Sequence, residues 1–245
     1  MNFTKYNTSA ETSVRYDAGL RAYMLQIFNF MTMALLITGF MAYYAGSSEA
    51  FKSLMITQGA HGNSLSPVGW AIQLSPIFIV LFLSYKIQTM SAQVAKITFW
   101  TYSVLMGLSL GPLFYQYTGE SIAKSFFITA SVFGSMSIYG YTTKKDLTSL
   151  GSFLMMGVMG ILLASVVNMF LGSSGLSFAI SVIGVLLFTG LTAYDVQKLK
   201  NMYFQLLGSD KDSQTKMAIY GALTLYIDFI NLFIMLLRFF GTRRD

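Results

Sequence analysis

Two aspartates occur inside long apolar stretches, where an ionisable side chain is least expected. Asp195 closes the sixth apolar run of the sequence, and Asp228 lies near the middle of the seventh. A charge at the bilayer centre costs at least about 2.5–3.5 kcal/mol, so an aspartate in a membrane segment is a functional candidate by default. The structural alternatives are a solvated interfacial carboxylate at Asp195 and a helix-packing hydrogen bond to Tyr or Ser at Asp228.

Small and polar residues accompany both aspartates at helical spacing. Gly221, Thr224, Asp228 and Asn231 follow one another by three, four and three residues, so they form one stripe on a helix. That stripe should face protein or water rather than lipid. A similar line on the sixth run leads to Asp195 and contains Ser181, Gly184, Phe188 and Thr192.

The two carboxylates have a specific chemistry if they meet. In a poorly solvated site they cannot both stay ionised, so they share a proton. Deprotonation leaves like charges that push apart or recruit a cation, whereas protonation holds the two helices together. The consequence is a pH-gated cation path.

Calcium suits such a path because hard cations prefer oxygen ligands. Asp195 and Asp228 are the predicted calcium ligands, and backbone carbonyls, Thr224 or Asn231 would complete the shell.

Asp228 lies eleven residues beyond Met217, about 16 Å along a helix. The carboxylates therefore meet only if the last helix begins deeper or Asp195 is drawn into the bundle, and spacing alone does not decide this. Candidate supporting residues are Thr192, Tyr194, Thr224, Tyr226 and Asn231, the two tyrosines as hydrogen-bond donors to the carboxylates.

The composition is that of a membrane protein. Of 245 residues, 54% are hydrophobic and 11% are charged, against about 45–50% and about 25% in a soluble domain. A membrane helix needs about 20 apolar residues, and seven runs qualify: 22–45, 68–85, 94–115, 121–141, 150–170, 177–195 and 217–240. The prediction is an all-α membrane protein with an N-terminal tail (1–21), one seven-helix domain (22–241) and a short C-terminal tail (242–245).

This composition excludes several function classes. Seven spans leave no room for a separate soluble enzyme domain. The chain has no cysteine and a single histidine, His61, so it cannot form a disulfide framework, a cysteine nucleophile or a polyhistidine metal site. The basic residues are scattered rather than gathered on one face, which argues against nucleic acid as a partner.

The basic residues instead indicate the topology. A cytoplasmic N-terminus leaves only five of the 16 Lys and Arg residues outside, which the positive-inside rule favours. The 11 inside residues are Lys5, Arg15, Arg21, Lys86, Lys96, Lys144, Lys145, Lys198, Lys200, Lys211 and Lys216; the five outside are Lys52, Lys124, Arg238, Arg243 and Arg244. Three of those five lie at or beyond the end of the last run. The rule would be satisfied better by a last helix that enters the protein and returns its end to the cytoplasm. Charge counting therefore does not decide on which side of the membrane the C-terminus lies.

The sequence around the aspartates resembles the Bax inhibitor-1 family of small multi-spanning membrane proteins. The resemblance rests on AYDVQ at 193–197, LYIDFINLFI at 225–234 and LRFFG at 237–241, and it extends over roughly residues 20–241. It implies six spans around a central last helix, and a pH-sensitive calcium leak gated by an aspartate dyad at Asp195 and Asp228. Some members carry an arginine counter-charge in the second span, where this chain offers Lys86.

Three functions follow as hypotheses. The first is the calcium-permeable, pH-gated leak, with calcium as the transported or bound ion and no cofactor. The second is a non-conducting regulator of another membrane protein, since the resemblance implies restraint of a membrane-anchored AAA protease in bacteria and suppression of cell death in eukaryotes. The third, an intramembrane aspartyl protease, lacks the expected glycine-flanked aspartate motif, so we predict no enzyme activity. We expect the protein in the lipid bilayer of a bacterial inner membrane.

Overall fold

A computed structural model describes residues 3–59 and 62–244, with the backbone alone for residues 3–16, 58, 59, 62 and 63. His61 lies outside the described residues. The elements in chain order are α1 (Phe3–Ser47), α2 (Glu49–Met55), β1 (Ile56–Gly59), β2 (Gly62–Leu65), α3 (Pro67–Lys86), α4 (Ala92–Leu110), α5 (Leu113–Gln116), α6 (Gly119–Thr142), α7 (Thr148–Leu171), α8 (Ser174–Gln205) and α9 (Lys211–Phe240).

Seven segments are long and apolar enough to cross a membrane, which confirms the predicted multi-pass all-α fold. These candidate spans are Asp17–Ser47, Pro67–Lys86, Ala92–Gln116, Gly119–Thr142, Thr148–Leu171, Ser174–Gln205 and Lys211–Phe240. Each overlaps one of the seven runs found in the sequence. The third span contains a break, because Pro112 has no N–H to continue the α4 ladder and α5 begins at the next residue.

The spans are bounded by side chains that cap the exposed helix ends. The side chains of Ser66, Ser91, Thr118, Ser173 and Asp210 each accept a hydrogen bond from a backbone N–H in the first turn that follows. At the opposite end of α7, Gly172 adopts a left-handed conformation with φ of 61°. Capping residues therefore set the short loops between the spans.

The last helix is the most enclosed of the seven. Buried residues make up 61% of the most apolar window of α9, against 44% in α8 and at most 33% in the other spans. Helix α9 packs against α1, α4, α6 and α8, while α3 packs on α4 and α7 packs on α8. The arrangement of all six other spans around α9 stays a prediction.

Three predicted boundaries were wrong. Helix α8 continues ten residues beyond Asp195, and α9 begins at Lys211, so most of the predicted loop 196–216 is helical. The first helix begins at Phe3, inside the predicted tail 1–21. Hydropathy marks where a helix leaves the bilayer and does not show where the helix ends. At the end of α8, good helix formers such as Gln, Lys and Leu extend the helix beyond the apolar run.

The predicted loop between the first two spans contains structure of its own. It holds the short helix α2 and an antiparallel hairpin in which Ile56 pairs with Leu65. The N–H of Ser66 then bonds to the carbonyl of Met55, which closes this unit against the start of α3. The signal for these elements is weak in the sequence because four-residue strands carry little periodicity.

The two ends of α9 lie on opposite faces of the bundle. Near its start, Asp212 accepts a hydrogen bond from the N–H of Ala92 (3.0 Å), the first residue of α4. Beyond its end, Thr242 O accepts from Thr118 N (3.2 Å), and Arg244 N donates to Gln116 O (2.9 Å). The alternative of a last helix that dips in and returns is therefore wrong. We call the face with the α3–α4, α6–α7 and α8–α9 loops the lysine-rich face.

Candidate functional site

The two aspartates meet between α8 and α9. Their carboxyl groups lie within hydrogen-bonding range of each other, and only 7% of Asp195 and 6% of Asp228 is exposed. A hydrogen bond between two carboxyl groups needs a proton on at least one of them. The Oδ2 atom of Asp228 is fully buried and has no hydrogen-bond partner among the described residues. The sequence left the proximity of these side chains open, and the structure shows that Asp195 is drawn into the bundle.

Small residues bring α8 and α9 close together on either side of this pair. An added Cβ at Gly221 would lie 2.9 Å from Leu199 Cδ2 on α8, and one at Gly184 would lie 2.9 Å from Met235 Cγ on α9. Both distances are shorter than an ordinary van der Waals contact. The glycines on the two predicted stripes thus permit the close helix approach that places the carboxyl groups in contact.

Helix α6 supports α8 directly behind the dyad. An added Cβ at Gly140 would overlap the Ala193 carbonyl oxygen and lie 2.9 Å from Ala193 Cα. Ala193 precedes Asp195 by two residues, so the position of α6 fixes the backbone that carries the first carboxylate. A single sequence gives no signal that distinguishes Gly140 from the other glycines.

Lys198 is a cation whose charge acts on the dyad. Its ammonium group interacts electrostatically with Asp195, three residues earlier on the same helix, and lies 5.8 Å from the centroid of the Tyr194 ring. The candidate counter-charge Lys86 is placed elsewhere: its ammonium lies 5.7 Å from the Tyr85 ring centroid and forms no ion pair within the described part of the chain. The i, i+3 spacing of Asp195 and Lys198 could have identified this cation.

The predicted supporting residues do not bond to the carboxyl groups in this structure. Thr192 Oγ1 donates to Phe188 O (2.8 Å) and Thr224 Oγ1 to Tyr220 O (3.1 Å), each within its own helix. Asn231 is half-buried, like Thr224.

The two tyrosines contact other neighbours than the carboxyl groups of the dyad in this structure. The hydroxyl of Tyr226 lies 2.6 Å from Thr38 Oγ1 on α1, and Thr38 donates to Ser103 O on α4 (2.9 Å). Two residues turn a helix by about 200°, so Tyr226 faces α1 and α4 when Asp228 faces α8. The ring of Tyr194 packs against Gly151 on α7.

Aromatic rings fill the contact between α6 and α9 next to the dyad. The Phe229 ring centroid lies 5.4 Å from that of Phe133 and 5.5 Å from that of Phe126, and Phe233 lies 6.5 Å from Phe126. Because Phe229 directly follows Asp228, the carboxyl pair is bordered by a cluster of apolar side chains on this side.

The oxygen atoms of the dyad are the metal-binding groups that the site offers. Within residues 3–59 and 62–244, no group of three or more His, Cys, Asp or Glu side chains is placed to hold a metal ion. A cation at this position would therefore be coordinated by two carboxylates, and the other protein ligands would be neutral oxygen atoms.

Comparison with known proteins shows the family of this chain. The family model described as inhibitor of apoptosis-promoting Bax1 matches residues 20–245. The inner membrane protein YbhL of Escherichia coli is 48% identical over 96% of this chain and 97% of its own length. Protein RP147 of Rickettsia prowazekii is 47% identical over the full length of both chains, and a membrane protein of Streptococcus pyogenes is 33% identical over 92% of this chain and 94% of its own. The chain therefore belongs to the Bax inhibitor-1 family of multi-spanning membrane proteins.

Proposed function

We propose that this protein is a pH-sensitive calcium leak channel in which protonation of Asp195 and Asp228 controls the path. The observation that carries the proposal is the close pairing of two buried carboxyl groups on adjacent antiparallel helices. A structural hydrogen bond between helices would need only one acid and a neutral partner, whereas two acids make the contact dependent on proton concentration.

The direction of the pH response follows from the charges. At low pH the pair holds a proton, the hydrogen bond ties α8 to α9, and the aromatic rings beside it keep the path closed. As the pH rises the shared proton leaves, and two like charges in a poorly solvated site repel each other. The helices then separate or a cation enters between them, so calcium flux rises with pH.

Calcium fits the deprotonated pair for a chemical reason. It takes six to eight oxygen ligands in flexible geometry, and the pair offers up to four carboxylate oxygens, including Asp228 Oδ2, which has no partner among the described residues. The half-buried side chains of Thr224 and Asn231 lie on the same helix as Asp228 and supply further oxygens along it. Two carboxylates and several neutral donors would hold the ion weakly enough to release it.

We place the channel in a bacterial inner membrane with its N-terminus in the cytoplasm. The relative YbhL is named as an inner membrane protein, and the lysine-rich face carries most of the basic residues, as a cytoplasmic face does. The dyad then lies nearer to the cytoplasmic end of α8 than to its outer end, so it senses the cytoplasmic pH first.

The experiment is calcium flux into liposomes that contain the purified full-length protein, from about pH 5 to about pH 8. Flux should exceed that of empty liposomes and rise with pH. Asp228→Asn keeps the side-chain shape and can donate a hydrogen bond to Asp195, but it cannot lose a proton, so flux should stay low and lose its pH dependence. Asp210→Asn is the matched control, since Asn also caps a helix and this residue is fully exposed at the start of α9.

The results separate the proposal from its main alternative. A pH response that is unchanged in Asp228→Asn would show that the dyad is not the sensor. An absence of flux at every pH would favour the second hypothesis, a non-conducting regulator that binds a membrane-anchored AAA protease or a cell-death factor. That hypothesis, like the absence of enzyme activity, rests on the family resemblance and stays a prediction.

A further inference from the structure

A polar cavity opens on the lysine-rich face between the α6–α7 loop and α8. It has a volume of about 220 Å³ and is lined by residues 143–146 of the α6–α7 loop and by Gln197, Lys200 and Asn201 of α8. The packing of seven helices does not require this cavity, because the α6–α7 loop could lie flat over the helix ends. The proposed channel mechanism leaves it without a role.

Hydrogen bonds from α8 hold the rim of this cavity in place. The side chain of Gln197 donates from Nε2 to Lys145 O (2.7 Å) and accepts at Oε1 from Leu147 N (2.9 Å). The ammonium of Lys200 donates to Tyr141 O (2.8 Å) and lies 5.2 Å from the centroid of the Tyr141 ring. Two bonds thus hold the loop backbone and a third holds the end of α6, so the cavity is preformed.

The charge around the cavity is positive and largely uncompensated. Lys144 and Lys145 are exposed, and neither forms an ion pair within the part of the chain that the structure describes. The one acid on the rim, Asp146, accepts hydrogen bonds from the Thr148 hydroxyl (2.6 Å) and from Thr148 N (2.9 Å). These bonds lower the pKa of Asp146 and engage its carboxylate at the start of α7. Lys144, Lys145 and Lys200 thus bring three positive charges to the cavity, against the single negative charge of Asp146, which already accepts two hydrogen bonds from Thr148.

The length of α8 indicates that the cavity opens at the depth of lipid headgroups. Helix α8 has 32 residues, about 48 Å at 1.5 Å per residue, whereas the hydrocarbon core is about 30 Å thick. The end of α8 therefore extends beyond the hydrocarbon on the lysine-rich face. Gln197, Lys200 and Asn201 lie within its last nine residues, so the cavity opens where phospholipid phosphates are found.

We propose that this cavity binds a phosphate group, supplied by the headgroup of an anionic phospholipid. Ammonium groups bind phosphate oxygens as point charges in charge-assisted hydrogen bonds, and basic pockets at the ends of membrane helices are suited to anionic headgroups. Lys144 and Lys145 contact the phosphate from the loop, and Lys200 contributes its charge from the floor. The Asn201 amide offers a hydrogen bond to a headgroup hydroxyl.

The test is native mass spectrometry of the full-length protein, delipidated in detergent and titrated with phosphatidylglycerol or phosphatidylcholine. The double variant Lys144→Gln/Lys145→Gln removes two exposed charges without touching the core. Each lysine near an anionic lipid contributes about fivefold in affinity, so the variant should bind phosphatidylglycerol about 30-fold more weakly. The control Lys96→Gln/Lys211→Gln removes two charges from the same face outside the cavity and should bind like the unmodified protein.

A second arm identifies the source of the phosphate. Soluble glycerol phosphate presents the same charged group without acyl chains, and we expect it to bind far more weakly than the lipid. If it binds as tightly as phosphatidylglycerol, the assignment to a lipid is wrong. If the two double variants lose equal affinity, or if phosphatidylcholine binds as well as phosphatidylglycerol, the site itself is wrong. Neither readout involves ion flux, so this proposal and the channel proposal fail independently.

Discussion

The close approach of α6 to α8 at Gly140 gives a sharp test of how the dyad is positioned. Gly140→Ala adds a single methyl group whose neighbour is the backbone of Ala193. Backbone atoms inside a helix cannot rotate away as a flexible side chain can. The substitution must therefore push the two helices apart next to Asp195.

The size of the effect can be worked out from the contact. The added Cβ would lie 2.9 Å from Ala193 Cα, at least about 0.6 Å closer than a carbon–carbon contact allows. Overpacking of this kind costs about 1–3 kcal/mol. Alanine also favours a helix over glycine by about 1 kcal/mol, which would hide part of that cost in a single variant.

A second glycine on the same helix removes this ambiguity. An added Cβ at Gly134 meets nothing within 4 Å, so Gly134→Ala gains the same helix propensity without the steric cost. The difference between the two variants is then the steric cost alone, about 1–3 kcal/mol, or about 2–12 °C in melting temperature for a chain of this size. Thermal unfolding followed by circular dichroism in detergent measures it. A Gly140→Ala protein that melts at or above Gly134→Ala would refute the close approach.

Two further predictions concern stability. Tyr226→Phe removes the hydrogen bond between α9 and the Thr38 hydroxyl on α1, while Thr38 keeps its bond to Ser103 O. The loss of this one bond should cost about 0.5–1.5 kcal/mol; an unchanged melting temperature would contradict the observed bond. The second concerns acid: hydrogen bonds from Ser213 N and its hydroxyl lower the pKa of Asp210, so its stabilising effect is present above the unfolded pKa of about 3.9 and is lost as the pH falls through the lower folded value. Between about pH 5 and about pH 2, the melting temperature of the unmodified protein should therefore fall by more than that of Asp210→Asn. If both melting temperatures fall by the same amount, the charge of Asp210 does not contribute to stability.

The sequence identified the spans and the two aspartates because both leave a strong local signal. A membrane helix needs about 20 apolar residues in a row, and an aspartate such as Asp228 is conspicuous among them. The sequence did not identify the ends of α8 and α9, because residues beyond the bilayer are polar whether they are helical or not. Hydropathy therefore placed Asp195 at the end of a span, although α8 continues for another ten residues.

The contacts around the dyad depend on packing that a single sequence does not encode. Lys86 fits the role of counter-charge by its place in the second span, yet α3 packs on α4 and the cation that acts on Asp195 is Lys198. Tyr226 is two residues from Asp228, but the same helix presents them to different neighbours. Helix rotation can be derived from spacing, whereas the identity of the helix that each face meets comes only from the fold.

The central claim is that Asp195 and Asp228 titrate as one pair, and infrared spectroscopy tests this most directly. Difference spectra of the membrane-embedded protein should show a carboxyl C=O band that gains intensity as the pH is lowered. Since coupled acids share their titration, Asp195→Asn and Asp228→Asn should each move the midpoint of this band. The double variant should lose the part of this band that titrates with the pair, and Asp210→Asn should leave that part unchanged. A midpoint that is the same in the unmodified protein and in both single variants would contradict the account.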